Sequence, residues 1–234
     1  MKIIIDDKKQ LDLLAAKMII NLVKEKPSAV LGLATGSSPI GVYQNLIVDH
    51  QNNKTDYKNV STFNLDEYFD LPIDHEQSYH TFMNNILFKH LNISLENTFF
   101  PEQDNPQNYS LLLEKHPIDL QILGVGSNGH IAFNEPGTPF YSTTQYVDLA
   151  ESTRKDNARF FASLEEVPKR AVTMGLKDIM QAKKIILLAF GLNKAEAIKM
   201  LIDGNKTSDW PVTILKEHPD VTVFLDYEAA SLLK

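Results

Sequence analysis

The sequence predicts an α/β fold in which helices alternate with the strands of a mainly parallel sheet, in a single domain of residues 1–234. Short apolar runs alternate along the chain with segments whose apolar residues recur every three or four positions. This pattern is typical of successive βαβ units. No internal repeat, low-complexity stretch or linker interrupts the alternation. Hydrophobic residues make up 43% of the 234 positions, which is enough for the core of such a domain.

Each element follows from a local pattern. In the first helix an apolar residue recurs at helical spacing from Leu11 to Leu22, and Pro27 ends the pattern. Ser38 and Pro39 suit the N-cap and the first turn of the second helix. The predicted strands are residues 1–5, 29–34, 60–65, 118–126, 171–175, 183–191 and 221–226. The predicted helices are residues 8–26, 39–50, 78–91, 109–116, 194–204 and 228–233, with 154–164 as a further candidate in an otherwise irregular segment, 138–170.

The composition argues against several classes of protein. The formal net charge of -7 disfavours non-specific binding to nucleic acid or to an anionic membrane. Cysteine is absent, which excludes disulfides, thiolate catalysis and cysteine-based metal sites. The N-terminus is too acidic for a signal peptide, and the apolar run at 185–192 is too short to span a membrane. We therefore expect a cytoplasmic protein that binds neither nucleic acid nor membrane.

Polar side chains follow four of the predicted strands. In open α/β sheets, ligands bind beyond the carboxyl ends of the strands. The four stretches are TGSS (35–38), LDEYF (65–69), GVGSNGH (124–130) and GLNKA (191–195). We expect them to converge at one edge of the sheet and to form a ligand site there.

The TGSS loop, residues 35–38, has the features of a phosphate site. Gly36 lets the backbone approach a ligand closely, and the helix that follows offers free N–H groups and a partial positive charge. Thr35, Ser37 and Ser38 add hydroxyl donors. The alternative is a capped turn between a strand and a helix.

Candidate acids and cations accompany this loop. Asp66 and Glu67 are adjacent at a strand end, where one of them could act as a general base, although neighbours in a strand point in different directions. Lys194 opens a helix, where the dipole disfavours a cation, and the fork of Arg159 suits a phosphate. A solvated turn and ordinary surface charges are the alternatives.

The stretch GVGSNGHIAFNEPG, residues 124–137, places His130 and Glu135 in a glycine-rich loop. Imidazole titrates near neutrality, and a nearby carboxylate favours its charged form and fixes its orientation. The loop is either a site with a catalytic histidine or an ordinary polar turn. By contrast, residues 75–80 hold two histidines and a glutamate, His75, Glu76 and His80, at a spacing that matches no strong metal motif. There we favour a solvated helix start over a metal site.

Taken together, the motifs resemble those of the glucosamine-6-phosphate deaminases. The stretch GHIAFNEPG is highly specific, since the related 6-phosphogluconolactonases follow a Gly-His pair with a different sequence. The matching stretches lie in the family's order between residues 31 and 219. They are LATGSSP, NLDEY, GVGSNGHIAFNEPG, ARFF, VPKRAVTMG, GLNKA and WPVTILKEHP.

The resemblance implies a Rossmann-like sheet with helices on both faces and a role in amino-sugar catabolism, including that of N-acetylglucosamine. The implied enzyme is a hydrolase with isomerase chemistry. It converts glucosamine 6-phosphate to fructose 6-phosphate and ammonia without a metal or a redox cofactor. Asp66 is then the base that moves a proton between C2 and C1, and His130 assists ring opening with Glu135 as its supporting carboxylate. The remaining implied residues bind the phosphate and are Thr35, Gly36, Ser37, Ser38, Arg159 and Lys194.

Two features depart from the larger members of the family. Asn128 stands where many members have an aspartate two residues before the histidine. An amide accepts a hydrogen bond but adds no charge, so Asn128→Asp should shift the pH dependence of turnover. The chain is also shorter than allosteric hexameric members, from which we expect a monomer or small homo-oligomer that N-acetylglucosamine 6-phosphate does not activate. Residues 138–165 could form a lid over the sugar.

Two other functions fit part of the pattern. A sugar-phosphate lactonase of the same fold would release acid and no ammonia. A non-catalytic sugar-phosphate sensor would normally carry a basic DNA-binding segment, and the sequence has none to spare. Such a sensor could also lose Asp66 or His130, and this sequence keeps both.

Overall fold

The computed structural model describes residues 1–158 and 161–233. The strands are β1 (Lys2–Ile5), β2 (Val30–Leu33), β3 (Ser61–Asn64), β4 (Asp66–Tyr68), β5 (Thr98–Phe99), β6 (Leu120–Gly124), β7 (Gln145–Asp148), β8 (Arg170–Thr173), β9 (Ile185–Ala189) and β10 (Val221–Leu225). The α-helices are α1 (Lys8–Glu25), α2 (Ile40–Asn53), α3 (Tyr79–Ile86), α4 (Pro106–Lys115), α5 (Glu151–Asn157), α6 (Leu176–Ile179) and α7 (Ala195–Asp203). Short 3₁₀ helices include Leu192–Lys194 and Pro211–Glu217.

Seven strands form the main sheet, in the order β1-β10-β9-β6-β2-β3-β5, and neighbouring strands pair in parallel. The mainly parallel α/β sheet that the sequence predicts is therefore confirmed. The chain order reverses between β2 and β6, because β3 and β5 extend the sheet on one side of β2 while β6, β9 and β10 extend it on the other. A crevice opens at such a switch point, beyond the carboxyl ends of the strands.

The core explains why these sequences form strands at the centre of the sheet. All five residues of β9 and all five of β10 are buried, as expected for parallel strands covered on both faces. In α1 the buried stripe includes Leu11, Ala15 and Ile19, whereas Leu14 is 38% exposed. The helix lies where the spacing predicts it, but Leu14, which belongs to the apolar pattern, lies outside its buried face.

A second, three-stranded sheet has the order β4-β8-β7 and is antiparallel. Asp66 pairs with Thr173, and Tyr68 pairs with Ala171. Tyr68 and Ala171 belong to a small separate cluster of buried residues that also contains Phe133. The sequence does not predict β4 or β7, because each is short and depends on pairing with the distant strand β8.

Three predicted helices differ from the structure. The helix predicted over 78–91 ends at Ile86, since the backbone of Leu87 leaves the helical region. The candidate over 154–164 is wrong in its bounds, because the helix α5 ends at Asn157 and residues 161–167 form turns and bends. The guanidinium of Arg154 holds those turns by donating to the carbonyls of Leu164 and Val167.

The helix predicted over 228–233 is wrong. These residues form turns, with N–H groups bonded three residues back, as from Ser231 to Glu228 and from Leu233 to Ala230. The Asp226 carboxylate accepts a hydrogen bond from the N–H of Ala229 at 2.8 Å. This bond and the bond from the Ala230 N–H to the Asp226 carbonyl have the form of a helix start, but the following N–H groups bond three residues back, so no α-helix continues.

Ser38 is not the N-cap of the second helix. The helix α2 begins at Ile40, and Pro39 occupies the preceding position. Ser38 instead lines the crevice at the carboxyl end of the sheet. The prediction failed because Pro39 lies outside the first helical turn, which moves the helix start one residue away from the serine.

Candidate active site

The four polar loops converge as the sequence predicts. They surround one cleft of about 220 Å³ at the carboxyl ends of β2, β3, β6 and β9. The loop residues that line it are Thr35–Ser38, Asp66, residues 124–127, His130 and Lys194. Because the cleft lies at the switch point between β2 and β6, a ligand there contacts loops from both halves of the sheet.

The TGSS loop forms one wall of the cleft. Gly36 has a φ of 82°, a conformation that side chains other than glycine disfavour, and this turns the chain from β2 toward α2. The N-terminus of α2 follows at Ile40 and brings unpaired N–H groups and a partial positive charge. Lys194 lies on the opposite loop, in the 3₁₀ turn that precedes α7. The arrangement suits an anionic group.

Asp66 is the first residue of β4 and is only 6% exposed. Burial, followed by the negative charge of Glu67, raises the pKa of Asp66 from its ordinary value of 3.8 to about 8. A carboxyl group that titrates near neutrality can both accept a proton and return it. Its position in the cleft makes Asp66 a candidate for proton transfer to and from a bound ligand.

Glu67 points away from the cleft, since successive side chains of a strand lie on opposite faces. It is 2% exposed, and both of its oxygens are occupied. Oε1 accepts from the N–H groups of Tyr68 and Tyr79 at 2.7 and 3.0 Å, and Oε2 accepts from the N–H of His80 at 3.0 Å. Glu67 therefore caps the N-terminus of α3 and acts on the site through its charge beside Asp66.

His130 is held by Asn128 and Glu135. The Asn128 amide nitrogen donates to Glu135 Oε2 at 2.8 Å, which fixes the orientation of the amide. Its oxygen, Oδ1, then accepts from His130 Nδ1 at 2.8 Å. Glu135 Oε2 lies 3.6 Å from the same ring nitrogen. The proton of the neutral ring is thereby placed on Nδ1, and Nε2 is left to exchange protons with a ligand.

The far oxygen of Glu135, Oε1, accepts from the hydroxyl of Thr153 at 2.6 Å. Burial alone would raise the pKa of Glu135. The hydrogen bond and charge of His130, together with hydrogen bonds from Thr153 and Asn128, outweigh burial and lower the pKa to about 2. Glu135 is therefore ionised at neutral pH and supports a protonated imidazole.

Two glycines make room for this arrangement. The His130 ring lies against Gly126, where an added Cβ would come within 2.2 Å of Cε1. Gly129 has a φ of 81°, and a Cβ there would meet the Trp210 ring at 2.7 Å. Gly126 sets the position of the imidazole, and Gly129 fits the loop against the 3₁₀ helix Pro211–Glu217.

The other predicted sites have different outcomes. Arg159 lies outside the described residues. His80 bonds Glu67 Oε2 through Nδ1 at 2.8 Å and stacks on Phe100, with ring centroids 3.7 Å apart. His75 accepts a hydrogen bond from the N–H of Gln77. Within residues 1–158 and 161–233, no three histidines, aspartates or glutamates are grouped as metal ligands.

Among the polar residues that line the cleft, sequence reasoning did not single out Tyr79, Ser127 and Thr153. Ser127 lies inside the predicted glycine-rich loop, so the sequence motif could have identified it as a cleft residue. Tyr79 follows Ser78, whose hydroxyl oxygen accepts from the N–H of Thr81 and caps α3. Thr153 is brought to the cleft by α5, and its sequence neighbourhood gives no sign of that contact.

Comparison with known proteins defines the class. Residues 8–224 match the family described as glucosamine-6-phosphate isomerases/6-phosphogluconolactonase, and the chain belongs to that family. It is 49% identical to a glucosamine-6-phosphate deaminase of Mycoplasma mycoides subsp. mycoides, over 99% of this chain and 96% of that one. It is 52% identical to the glucosamine-6-phosphate deaminase of Thermoanaerobacter pseudethanolicus, over 94% of this chain and 89% of that one.

Solved structures agree with this assignment. A monomeric glucosamine-6-phosphate deaminase superimposes with a TM-score of 0.96 at 44% identity and covers 99% of this chain and 100% of that one. The 6-phosphogluconolactonase from Trypanosoma brucei gives a TM-score of 0.79 at 19% identity, over 100% of this chain and 98% of that one. The second likeness shows a shared fold alone. Among the described residues, no helix is both long enough and apolar enough to span a membrane.

Proposed function

We propose that the chain converts glucosamine 6-phosphate and water to fructose 6-phosphate and ammonia. One observation carries the proposal. A buried acid with a pKa near 8, Asp66, and a hydrogen-bonded histidine, His130, line one cleft together with the TGSS loop. Ring opening and C2 proton transfer need two separate proton-transfer groups, and the cleft supplies an imidazole and a carboxyl group.

Ring opening is assigned to His130. In the proposed step Nε2 takes the proton of the C1 hydroxyl and returns a proton to the ring oxygen, while the bond between C1 and the ring oxygen breaks and an aldehyde forms. Asn128 holds the opposite ring nitrogen, so the imidazole keeps one orientation. The carboxylate of Glu135, 3.6 Å from Nδ1, stabilises the protonated ring between the two transfers.

Isomerisation is assigned to Asp66. It removes the C2 proton of the open-chain aldehyde, the C2 electron pair forms a double bond to C1, and the aldehyde oxygen takes up a proton that the C2 ammonium group releases. Asp66 then returns its proton to C1 while the bond from C2 to nitrogen becomes an imine. Water adds to C2, the bond to nitrogen breaks, and ammonia leaves. Since water supplies the oxygen at C2, the reaction is a hydrolytic deamination that contains an aldose–ketose isomerisation.

Binding is assigned to the loops around these groups. The hydroxyls and N–H groups of the TGSS loop, with Lys194 opposite, are proposed to hold the phosphate and so to reduce the entropic cost of aligning C1 and C2. Arg159 remains a proposed phosphate ligand from the resemblance. Residues 138–165 are a proposed lid, and what supports this is that Thr153, within that segment, lines the cleft.

The proposal carries two expectations about the state of the protein. A sugar phosphate is charged and does not cross membranes unaided, so we expect the enzyme to act in the cytoplasm. We also expect a monomer or small homo-oligomer with hyperbolic kinetics. Light scattering of the purified protein measures the oligomeric state, and substrate saturation with and without N-acetylglucosamine 6-phosphate tests whether the kinetics are hyperbolic. Sigmoidal kinetics relieved by that ligand would contradict the expectation.

The test follows both products at once. Purified protein is mixed with glucosamine 6-phosphate in the presence of a chelator, and fructose 6-phosphate and ammonia are measured together. Asp66→Asn is the catalytic variant, and Asp104→Asn is its control. Equal amounts of the two products, lost only in Asp66→Asn, would support the proposal. Acid release from 6-phosphogluconolactone without ammonia would point to a lactonase, and binding without turnover would point to a sensor.

Asp66→Asn should also change stability in a pH-dependent way. The folded state keeps the Asp66 proton up to about pH 8, whereas the unfolded chain releases it near 3.8, so the folded state loses stability as pH rises through this window. Asparagine removes that loss. We expect the variant to gain at least about 1 kcal/mol at pH 8 relative to pH 5, as measured by urea denaturation. Equal stability differences at both pH values would contradict the raised pKa.

A further inference from the structure

We propose that Thr153 is a positioning residue that fixes the Glu135 carboxylate for its work on His130. The inference rests on the proposed function, since it concerns how the ring-opening group is held. It adds a residue from α5 to a set that otherwise comes from one loop, residues 124–137. The Thr153 hydroxyl donates to Glu135 Oε1 at 2.6 Å.

The geometry divides the two carboxylate oxygens between two partners. Oε2 meets the amide of Asn128 at 2.8 Å and His130 Nδ1 at 3.6 Å. Oε1 is occupied by Thr153. With both oxygens engaged, rotation of the carboxylate would break one contact to make another, so Thr153 holds the plane in which Oε2 faces Asn128 and His130.

The environment of Thr153 favours a specific role over an incidental contact. Thr153 is 7% exposed although it sits in a seven-residue helix whose first residue, Glu151, is exposed. Burying a hydroxyl costs free energy unless it is hydrogen-bonded. The partner here is an ionised carboxylate, and hydrogen bonds to charged groups are about twice as strong as neutral ones.

This contact also links a second part of the chain to the site. Helix α5 lies between β7 and β8, whereas Glu135 follows the loop after β6. The carboxylate is therefore fully aligned when α5 is seated against the cleft. If residues 138–165 open for substrate entry, as proposed above, their closure restores the hydrogen bond and orders Glu135 at the moment the cleft is closed.

Within residues 1–158 and 161–233, the charge of His130 acts on Glu135 and lies beside Oε2, and Asp66 and Lys194 line the adjoining cleft. Arg154, the next residue along α5, donates instead to carbonyls of residues 164 and 167. Loss of the Thr153 hydrogen bond would therefore act on Glu135 directly and would raise its pKa above the value of about 2.

The test compares Thr153→Val with Thr153→Ser. Valine keeps the shape and removes the hydroxyl, and serine keeps the hydroxyl and removes the methyl. We expect Thr153→Val to lower kcat for ammonia release about tenfold with KM changed less, and to displace the pH profile of kcat, because Glu135 then supports the protonated His130 less well. Thr153→Ser should restore most of kcat and the original pH profile.

Thr144→Val is the matched control, because Thr144 is a fully buried threonine whose hydroxyl donates to another carboxylate, Asp178, at 2.9 Å. It should lower stability and leave the pH profile in place. Equal losses of kcat in Thr153→Val and Thr153→Ser with an unchanged pH profile would overturn the inference, as would wild-type behaviour of Thr153→Val.

A readout independent of turnover separates this inference from the proposed function. The Glu135 carboxyl is followed by ¹³C NMR across pH, with Glu135→Gln used for assignment. A higher pKa in Thr153→Val and not in Thr153→Ser supports the positioning role even if the wild-type protein releases no ammonia. An identical titration in all three proteins overturns it even if ammonia is released.

Discussion

Two regions of the molecule contain a glutamate paired with a histidine, and they differ in how the glutamate is held. At the start of α3, Glu67 binds His80 Nδ1 directly at 2.8 Å, and backbone N–H groups occupy its remaining capacity. In the cleft, Glu135 lies 3.6 Å from His130 Nδ1 and reaches the ring mainly through the amide of Asn128.

The difference shows what separates a structural pair from a chemical one. Glu67 is committed to the backbone of α3, and the His80 ring stacks on Phe100, so neither group can change its partners without disturbing the helix start. The carboxylate of Glu135 is held by side chains alone among its described hydrogen bonds, and the His130 side chain is 24% exposed in the cleft. The two pairs contain the same residue types. They differ in their hydrogen-bond donors, because backbone N–H groups hold the Glu67 carboxylate and side chains hold that of Glu135.

The largest expected effect is the loss of turnover when His130, and not His80, is replaced. We expect His130→Gln to lower kcat by a factor of about 10² to 10⁴, because it removes the proposed group for proton transfer. Stability should change little. His80→Gln should keep kcat within a factor of about three. It should lower the free energy of unfolding of the protein by roughly 1 kcal/mol, because it removes a hydrogen bond at the start of α3. Steady-state kinetics and urea denaturation of both variants measure the contrast.

The structural role of the Glu67–His80 pair is contradicted if His80→Gln remains folded and loses as much activity as His130→Gln. In that case the pair at α3 would share in the chemistry. Circular dichroism of both variants before the assay shows whether the helix content is kept.

A smaller effect is expected from Glu67→Gln. The amide cannot accept all the hydrogen bonds that the buried carboxylate accepts, so we expect a loss of about 1–3 kcal/mol in the free energy of unfolding. Removal of the negative charge beside Asp66 should lower the pKa of Asp66 below about 8. Because the ionised form is the base, the acid limb of kcat/KM should move to lower pH.

The control for this variant is Glu76→Gln, an exposed acid just before α3 that is expected to leave both quantities unchanged. An acid limb that stays in place in Glu67→Gln, with stability lost, would mean that Glu67 acts only as a helix cap. An acid limb that moves without loss of stability would mean that Glu67 acts on Asp66 through its charge and adds little as a helix cap.

The sequence predicts the parts of the site that are local. Glycine-rich loops at strand ends are visible as short patterns, so the sequence alone predicts TGSS and residues 124–137 as parts of the site. The role of Glu67 was not, because it depends on β4, a three-residue strand formed by pairing with distant β8. Thr153 meets Glu135 from 18 residues away across β7 and the start of α5, and no periodicity encodes that contact.

The smallest expected effect, and the most informative about the difference between the two pairs, is that of Asn128→Asp. It places a carboxylate directly on His130 Nδ1, as Glu67 is placed on His80, but beside a second carboxylate, Glu135, with which Asn128 now shares a hydrogen bond at 2.8 Å. Two negative charges favour the protonated imidazole, so a smaller fraction of the ring is in the neutral form that accepts a proton. They also repel each other, so Glu135 should hold its proton to higher pH than in the wild type. We expect kcat to change by less than about tenfold at its optimum, with the profile displaced along the pH axis. A profile that superimposes on that of the wild type would show that the amide serves only as a spacer.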